Sequence, residues 1–340
     1  MAKKQKDNEQ RKEELQTNVQ MDEEQEKKRF FQRFKETLEE YVGEAYRIRY
    51  IENRGINHIP YKSVALHKEG KGGDWNFHLD SLYQNFKEGV PIKDLILHMI
   101  LKTELTNVKD VVPDGIIHSF SDYESVKAYL TVHLMNMEKN RDFLKGKMFV
   151  PFLDMAAEIN FVLKYGEDEM GTMPISEWMF EGWGVSKMQL LNDAVENTMK
   201  RFPPQTMLVA DMVRSIIKSL SKEEDDEFAK YMNEPETEAE ELYVVTNEYG
   251  FRGASVILYP HFLEKFAKEK KADRLILFPA SLHEMFVFPY KGDISLEKCN
   301  QIIQSVNEEA IVPEEFLGDH AYLYDLPSDS ITIWGEENAE

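Results

Sequence analysis

Leu242-Tyr-Val-Val-Thr246 is a run of apolar, aromatic and β-branched residues, Asn247-Glu248-Tyr249-Gly250 is turn chemistry, and Ala254-Ser-Val-Ile-Leu258 is a second apolar run. Together they read as two strands with a turn between them. Pro260 then opens a helix with Phe262, Leu263, Phe266 and Ala267 buried. Leu275 to Phe278 and Met285 to Phe288 are two further strands, and Ser295 caps a helix bearing Leu296, Cys299, Ile302, Ile303 and Val306. Tyr322 to Tyr324 and Ile331 to Trp334 close as a hairpin around Leu326-Pro327-Ser328-Asp329. The order β-β-α-β-β-α-β-β predicts an α+β fold, with antiparallel sheets and helices packed on one face, rather than a doubly wound one.

Upstream, Phe30, Phe31, Phe34, Leu38, Tyr41 and Val42 recur at helical spacing, so order is expected to begin near Phe30. Tyr46, Ile48 and Tyr50 alternate with Arg47 and Arg49 as a half-buried strand, and Asn53-Arg54-Gly55 turns into a second strand from Ile56 to Leu66. Lys68 to Asp74 reads as a loop. Helices follow on Leu79, Leu82, Tyr83 and Phe86, stopped by Gly89, and on Ile92, Leu95, Ile96, Met99 and Ile100 after Pro91. The segment from Val126 to Met137 fits helix and strand equally. Leu153 to Leu163 alternates as a strand, and Ser186 caps a helix that Pro203-Pro204 breaks. Val209, Met212, Val213, Ile216, Ile217 and Leu220 mark one more amphipathic helix.

These elements suggest a charged tail over 1–29, an α+β region over 30–220, an acidic linker over 221–241, a C-terminal α+β domain over 242–334 and an acidic tail over 335–340. The linker holds ten acidic residues and two lysines. Such a block repels itself and stays solvated. It carries a good part of the formal charge of −21, which comes from 41 Lys+Arg against 62 Asp+Glu among 340 residues.

That charge argues against a phosphate backbone as ligand, because nucleic-acid affinity rests on Lys and Arg releasing counterions. No apolar run approaches the roughly 20 residues that span a bilayer. The first 28 residues lack the apolar region of a secretory signal, and the single cysteine, Cys299, builds neither a disulfide nor a thiolate metal site. The expectation is a soluble cytoplasmic protein without a membrane partner.

Several segments resemble a bacterial family of unknown function, numbered 5688 among such domains. They are Leu242-Tyr-Val-Val-Thr-Asn247, Gly253-Ala254-Ser255-Val-Ile-Leu-Tyr259 and Pro279-Ala280-Ser281-Leu282-His283-Glu284. Met135-Asn-Met-Glu-Lys-Asn140, Phe152-Leu-Asp154, Trp183-Gly-Val185, Val306-Asn307 and Val312-Pro313-Glu314-Glu315 fit the same pattern. The resemblance runs from about 35 to 334. Ala280 stands where the family usually has Ser, so this chain carries no hydroxyl there. The family implies no activity, substrate or cofactor.

The most polar interruption between two apolar strands is Pro279 to Glu284. Ser281 and His283 are two apart and would point the same way in an extended chain. With Glu284, and with Asn247 from the neighbouring hairpin, they form the candidate set for a nucleophile–base site. No Gly-x-Ser-x-Gly elbow exposes Ser281. The opposing reading is a turn whose side chains satisfy backbone groups. The nine histidines show no metal-binding spacing, and Gly70-Lys71-Gly72-Gly73 lacks the strand and the Lys-Ser/Thr of a phosphate loop, so no metal and no cofactor is expected. Cys299 reads as core. Trp178, Phe180 and Trp183 read as a lid on the core rather than an exposed patch.

Three function classes follow. The first is a non-enzymatic binding or adaptor protein with a protein partner. The second is a hydrolase-like enzyme using the Pro279–Glu284 turn. The third is an acidic mimic of nucleic acid.

Overall fold

The computed structural model describes residues 23–43, 46–69, 74–105, 122–164, 171–211, 241–292 and 294–335. The fold is α+β, with three antiparallel sheets among these residues. The chain divides into two compact units, Met1–Arg54 with Pro60–Val111, and Gly55–Ile59 with Val112–Glu340.

In the first unit, helix α1 (residues 23–42) places Phe30, Phe34, Leu38 and Val42 on one buried face. It is already helical at residue 23, seven residues before its apolar stripe, where polar contacts tie it to the helix Leu79–Lys87. Lys87 reaches Glu23 at 2.7 Å, Lys27 reaches Asp80 at 2.5 Å and the Tyr83 hydroxyl lies 3.3 Å from Glu26. Strands β1 (Arg47–Arg54), β2 (Pro60–His67) and β3 (Asp74–His78) form an antiparallel meander. Val64 and Leu66 of β2 pack with α1 and with helices α2 (Leu79–Lys87) and α3 (Ile92–Leu105). β3 lay hidden in the sequence because Asp74-Trp-Asn-Phe-His78 alternates only twice. The second strand begins at Pro60 rather than Ile56, because Asn57 and His58 take left-handed backbone at φ 57° and 60°.

In the second unit α4 (Tyr123–Val126) and a short 3₁₀ turn precede strand β4 (Leu130–Asn136), which takes up most of the ambiguous segment and is buried at every position. β6 (Met155–Lys164) pairs with β4 on one side and with β5 (Phe149–Phe152) and β7 (Gly171–Pro174) on the other. Helices α5 (Glu177–Trp183) and α6 (Lys187–Arg201) follow. Trp183 is buried against Tyr123 and Phe161, whereas Trp178 is exposed, so only part of the aromatic trio is core.

The other sheet has six antiparallel strands. In spatial order they are β13 (Ser330–Ile333), β12 (Tyr322–Asp325), β10 (Arg274–Pro279), β11 (Met285–Pro289), β9 (Tyr243–Asn247) and β8 (Pro204–Leu208). Helix α7 (Phe262–Glu269) packs Leu263, Phe266 and Ala267 with Leu275 and Leu277. Helix α8 (Leu296–Glu309) packs Cys299 and Ile303 with Ile276 and Phe278. Successive β10 residues point to opposite faces, so the two helices cover both faces of this sheet, where one was expected.

The other departure is at Ala254–Leu258, read as a strand. It lies in a 3₁₀ helix, Gly253–Leu258, with residues 253–257 all buried. The backbone of Gly253 presses so closely on β9 and the next turn that a Cβ would meet Thr246 Oγ1, and would lie 2.5 Å from the His283 carbonyl oxygen. The place beside β9 is taken by β8, from before the acidic block. The acidic linker 221–241 thus connects two neighbouring strands of one sheet, and all of it but Glu241 lies outside the described residues. So do the helix expected beyond Asp211, the loop over 70–73, and the termini before 23 and after 335. No helix among the described residues is long and apolar enough to cross a membrane.

Candidate functional site

Three chain segments of the second unit build the site. β9 ends at Asn247, whose amide organises the next turn: its Oδ1 accepts from the Tyr249 and Phe251 backbone N–H groups at 3.0 and 3.3 Å, and its Nδ2 donates to the Phe251 carbonyl at 2.8 Å. Asn side chains mimic backbone in this way, which is why they favour turns. The turn delivers Arg252 in left-handed conformation at φ 53°.

The second segment links β10 to β11. Ser281 and Glu284 bond each other's main chains, with Ser281 N–H on the Glu284 carbonyl at 3.1 Å and Glu284 N–H on the Ser281 carbonyl at 3.4 Å. Ser281 is 3% exposed, and its Oγ accepts from the His283 backbone N–H at 3.0 Å. The Thr246 hydroxyl donates to the His283 carbonyl at 2.7 Å. Main chain therefore engages the Ser281 Oγ as an acceptor, and the turn's other polar side-chain groups are the Glu284 carboxyl and the imidazole. Burial pushes the Glu284 carboxyl up, with Glu315 adding to the shift and His283 opposing it.

The His283 ring faces the first turn. Its Nδ1 lies 3.2 Å from the Arg252 N–H and 3.1 Å from the Gly250 carbonyl oxygen. A neutral ring protonated at Nε2 accepts from the former; a ring protonated at Nδ1 donates to the latter. Nε2 lies 3.6 Å from Glu315 Oε1, an ion-pair distance that carries attraction when the ring is charged. No hydrogen bond joins Ser281 Oγ to the ring among the described residues, so the fold gathers Ser281, His283, Glu284 and Asn247 into one place without aligning them as nucleophile and base.

Sequence reasoning missed the third segment. His133 of β4 stands opposite Glu158 of β6 in register, and both are buried. Asn160 donates to Glu158 Oε2 at 3.2 Å and lies 3.5 Å from His133 Nδ1. The Phe251 ring stands edge-on to His133 at 5.9 Å and tilted to His283 at 6.0 Å. Burial drives His133 down to about 3, helped by Arg252 and His283, so this ring stays neutral. Burial also raises Glu158, against the pull of Lys147, Asn160 and Arg252, and lowers Arg252 against the pull of Glu158 and Glu315. Lys147 Nζ stands 3.7 Å from Glu158 Oε1, too far for a hydrogen bond, and Oε1 and Arg252 Nη1 are both buried without a hydrogen-bond partner. The arrangement sets Arg252 and Lys147 against Glu158 and Glu315. Only the alternation of polar with apolar residues in Ala157-Glu158-Ile159-Asn160 hinted that a polar layer crosses this sheet.

A second polar network centres on Asp154 of the Phe152-Leu-Asp154 segment. Asp154 accepts from the Tyr322 hydroxyl at 2.7 Å and lies 3.4 Å from His320 Nε2, an ion pair without hydrogen-bond alignment. His320 Nδ1 lies 2.9 Å from Asp319. These carboxylates outweigh partial burial and raise the imidazole to about 9. Burial also acts on Asp154, but the contacts from His320 and Tyr322 win and hold it below the usual carboxylate range.

The principal cavities among the described residues lie away from Ser281 and His283. No group of three or more His, Cys, Asp or Glu side chains among them converges as a metal site. Comparison with curated proteins and with solved structures yields no match. The model of a family described as a family of unknown function, DUF5688, matches residues 27–326, most of the chain, and the protein therefore belongs to that family.

Proposed function

We propose that this chain is a non-enzymatic binding or adaptor protein with a protein partner in the cytoplasm, and that the Pro279–Glu284 turn is a structural clasp. One observation carries the reading: the Ser281 hydroxyl holds the His283 backbone N–H at 3.0 Å and is buried. A hydrolytic serine needs its Oγ free for substrate and hydrogen-bonded to a base, beside donors placed for an oxyanion. The histidine is held by the backbone of the preceding turn. The acidic-mimic reading rests on residues 221–241 and 336–340 and has no support from the geometry of the second unit.

The test is a pair of measurements on the full chain. Immobilised protein should retain a stoichiometric partner from native lysate and should show no serine-dependent turnover of a panel of activated esters and peptides. Turnover that S281A abolishes without lowering the thermal midpoint would overturn the reading in favour of the hydrolase. Empty captures repeated at low salt would overturn the adaptor.

A further inference from the structure

Strand β8 is the outermost strand of the six-stranded sheet, paired among the described residues with β9 alone. In an antiparallel ladder alternate residues exchange both main-chain bonds with the neighbour, and those between them turn theirs away. Two bonds just beyond the strand show which are which: Val209 N–H donates to the Leu242 carbonyl at 2.9 Å, and Glu248 N–H to the Pro203 carbonyl at 3.0 Å. The bonded positions therefore continue through Gln205 opposite Thr246 and Met207 opposite Val244. Pro204, Thr206 and Leu208 face the open edge. There the Thr206 N–H and carbonyl, the Leu208 N–H and the Pro204 carbonyl have no partner among the described residues. We infer that β8 takes up an extended, uncharged segment of a protein partner as a further antiparallel strand, with the segment's apolar side chains entering the groove beside α7; the inference rests on the adaptor reading and names its docking surface and partner chemistry.

The occupant follows from the edge and from what lies beside it. Natural edge strands are kept from pairing by charges, bulges, proline or a covering element. β8 carries no charge, and Pro204 to Met207 are exposed. Its one proline stands first, where the missing N–H belongs to the outward set. Donors and acceptors in strand alternation along such an edge are met by an extended main chain. Beside the edge, a groove of about 350 Å³ is walled by Met199, Pro204, Pro260, Phe262 and Phe266, with Thr206 lining it too. Thr206 thus points to the α7 side. In an antiparallel pair the residue directly opposite it on an added strand points the same way. Every pairing in this sheet is antiparallel.

Charge and surface select apolar side chains. Lys265 and Glu269 line the groove with opposite signs, and His261 is held by Glu264 at 2.9 Å. The groove therefore prefers neither sign, and its apolar walls favour burial of a leucine or valine. A second copy is the poorer occupant, because pairing β8 with β8 would bring two chains of charge −21 together at one edge.

The test is fluorescence anisotropy and amide hydrogen exchange on the full chain with a fluorescein-labelled Gln-Leu-Thr-Val-Thr-Leu-Gln peptide. In the free chain the Gln205 and Met207 amides should exchange slowly and those of Thr206 and Leu208 fast. The peptide should bind and slow the latter two about tenfold or more, the factor that corresponds to 1.4 kcal/mol. N-methylation of its Leu and Val residues, whose N–H groups face β8 when their side chains enter the groove, should weaken binding about tenfold or more, whereas N-methylation of its Thr residues leaves it unchanged. T206K puts a charge on the edge and should weaken binding equally; the exchange readout on the wild-type chain stands whether or not that variant folds. No binding, no protection at Thr206, equal effects of the two N-methylations, or a dimer of the chain alone that T206K dissociates would each overturn the inference. If lysate capture then retains the same partner on wild type and T206K, the adaptor reading stands and only the edge falls. If neither captures a partner, the adaptor reading falls as well.

Discussion

Asn57 and Asn140 exchange two hydrogen bonds inside the second unit: the Asn57 backbone N–H donates to Asn140 Oδ1 at 2.7 Å, and Asn140 Nδ2 donates to Asn57 Oδ1 at 2.8 Å. Asn57 Nδ2 meanwhile faces the carbonyls of Pro313, Glu314 and Phe316 at 3.0, 3.1 and 2.9 Å. One buried side chain thus satisfies main chain more than 250 residues away. N57A should lower unfolding free energy in urea by about 2–4 kcal/mol, since several buried groups lose their partners at once. N57G should recover about 1 kcal/mol of that, because the backbone is left-handed here and glycine adopts it freely. Equal losses in the two variants would show that the backbone conformation carries no strain.

Gly253 is where β9, the 3₁₀ helix and the Ser281 turn meet. A methyl group there would drive apart Thr246 and the His283 carbonyl, which are joined by a hydrogen bond. G253A should cost about 3 kcal/mol or more through overpacking against backbone. T246A removes the nearest obstacle along with the hydroxyl bond and should cost about 1 kcal/mol. The double variant should therefore lose less than the sum. Additive losses in denaturant titrations would mean that Thr246 is not the obstacle.

The Asp154–His320 pair makes stability depend on pH in a stated direction. The imidazole is raised from 6.5 to about 9 in the folded chain, so its contribution is complete below pH 6.5 and disappears as pH rises through about 9. Asp154 is lowered, so its own contribution is complete above the ordinary carboxylate range and fades in acid. Between pH 6.5 and 9, wild type should lose about 1–2 kcal/mol after discounting for the partial exposure of the ring. H320Q and D154N should flatten that slope. A slope in H320Q equal to wild type would assign the dependence elsewhere.

Cys299 is fully buried on the sheet-facing side of α8, among Ile276, Phe278 and Ile303. A thiol-specific reagent should label it in native buffer at least about a thousandfold more slowly than in denaturant, since access requires opening that costs about 4 kcal/mol or more. Fast native labelling would show α8 detaching readily from its sheet.

Apolar runs bounded by turn chemistry, and helices with one wet face, were legible in the sequence. Leu275–Phe278, Met285–Phe288, Tyr322–Tyr324 and the helices through Leu263 and Ile303 lie where their periodicity puts them. Ala254–Leu258 was not legible as 3₁₀ helix, because a segment buried on every side carries no period and its β-branched residues imitate a strand. β8 was masked by the two prolines that introduce it. The candidate site divides in the same way. Ser281, His283, Glu284 and Asn247 stood out because turns concentrate polar residues between apolar strands. Arg252 lay outside the quoted motifs, and Glu158 and His133 lay on strands whose pairing register alone brings them together. Sequence spacing does not encode that register, and so the electrostatic half of the cluster came only from the fold.

The adjacency of β8 and β9 has an architectural consequence. Val209 N–H donates to the Leu242 carbonyl at 2.9 Å, so the two ends of the connection are fastened to each other before the acidic block begins. In the order of the sheet, β8 and β9 are neighbours both in space and along the chain. A flexible connection of that length would cost about 2 kcal/mol more to close than a four-residue turn. The segment is therefore excisable: grafting a tight turn between Leu208 and Tyr243 should leave the sheet intact and raise the melting temperature, and the same junction should accept a foreign domain as cargo.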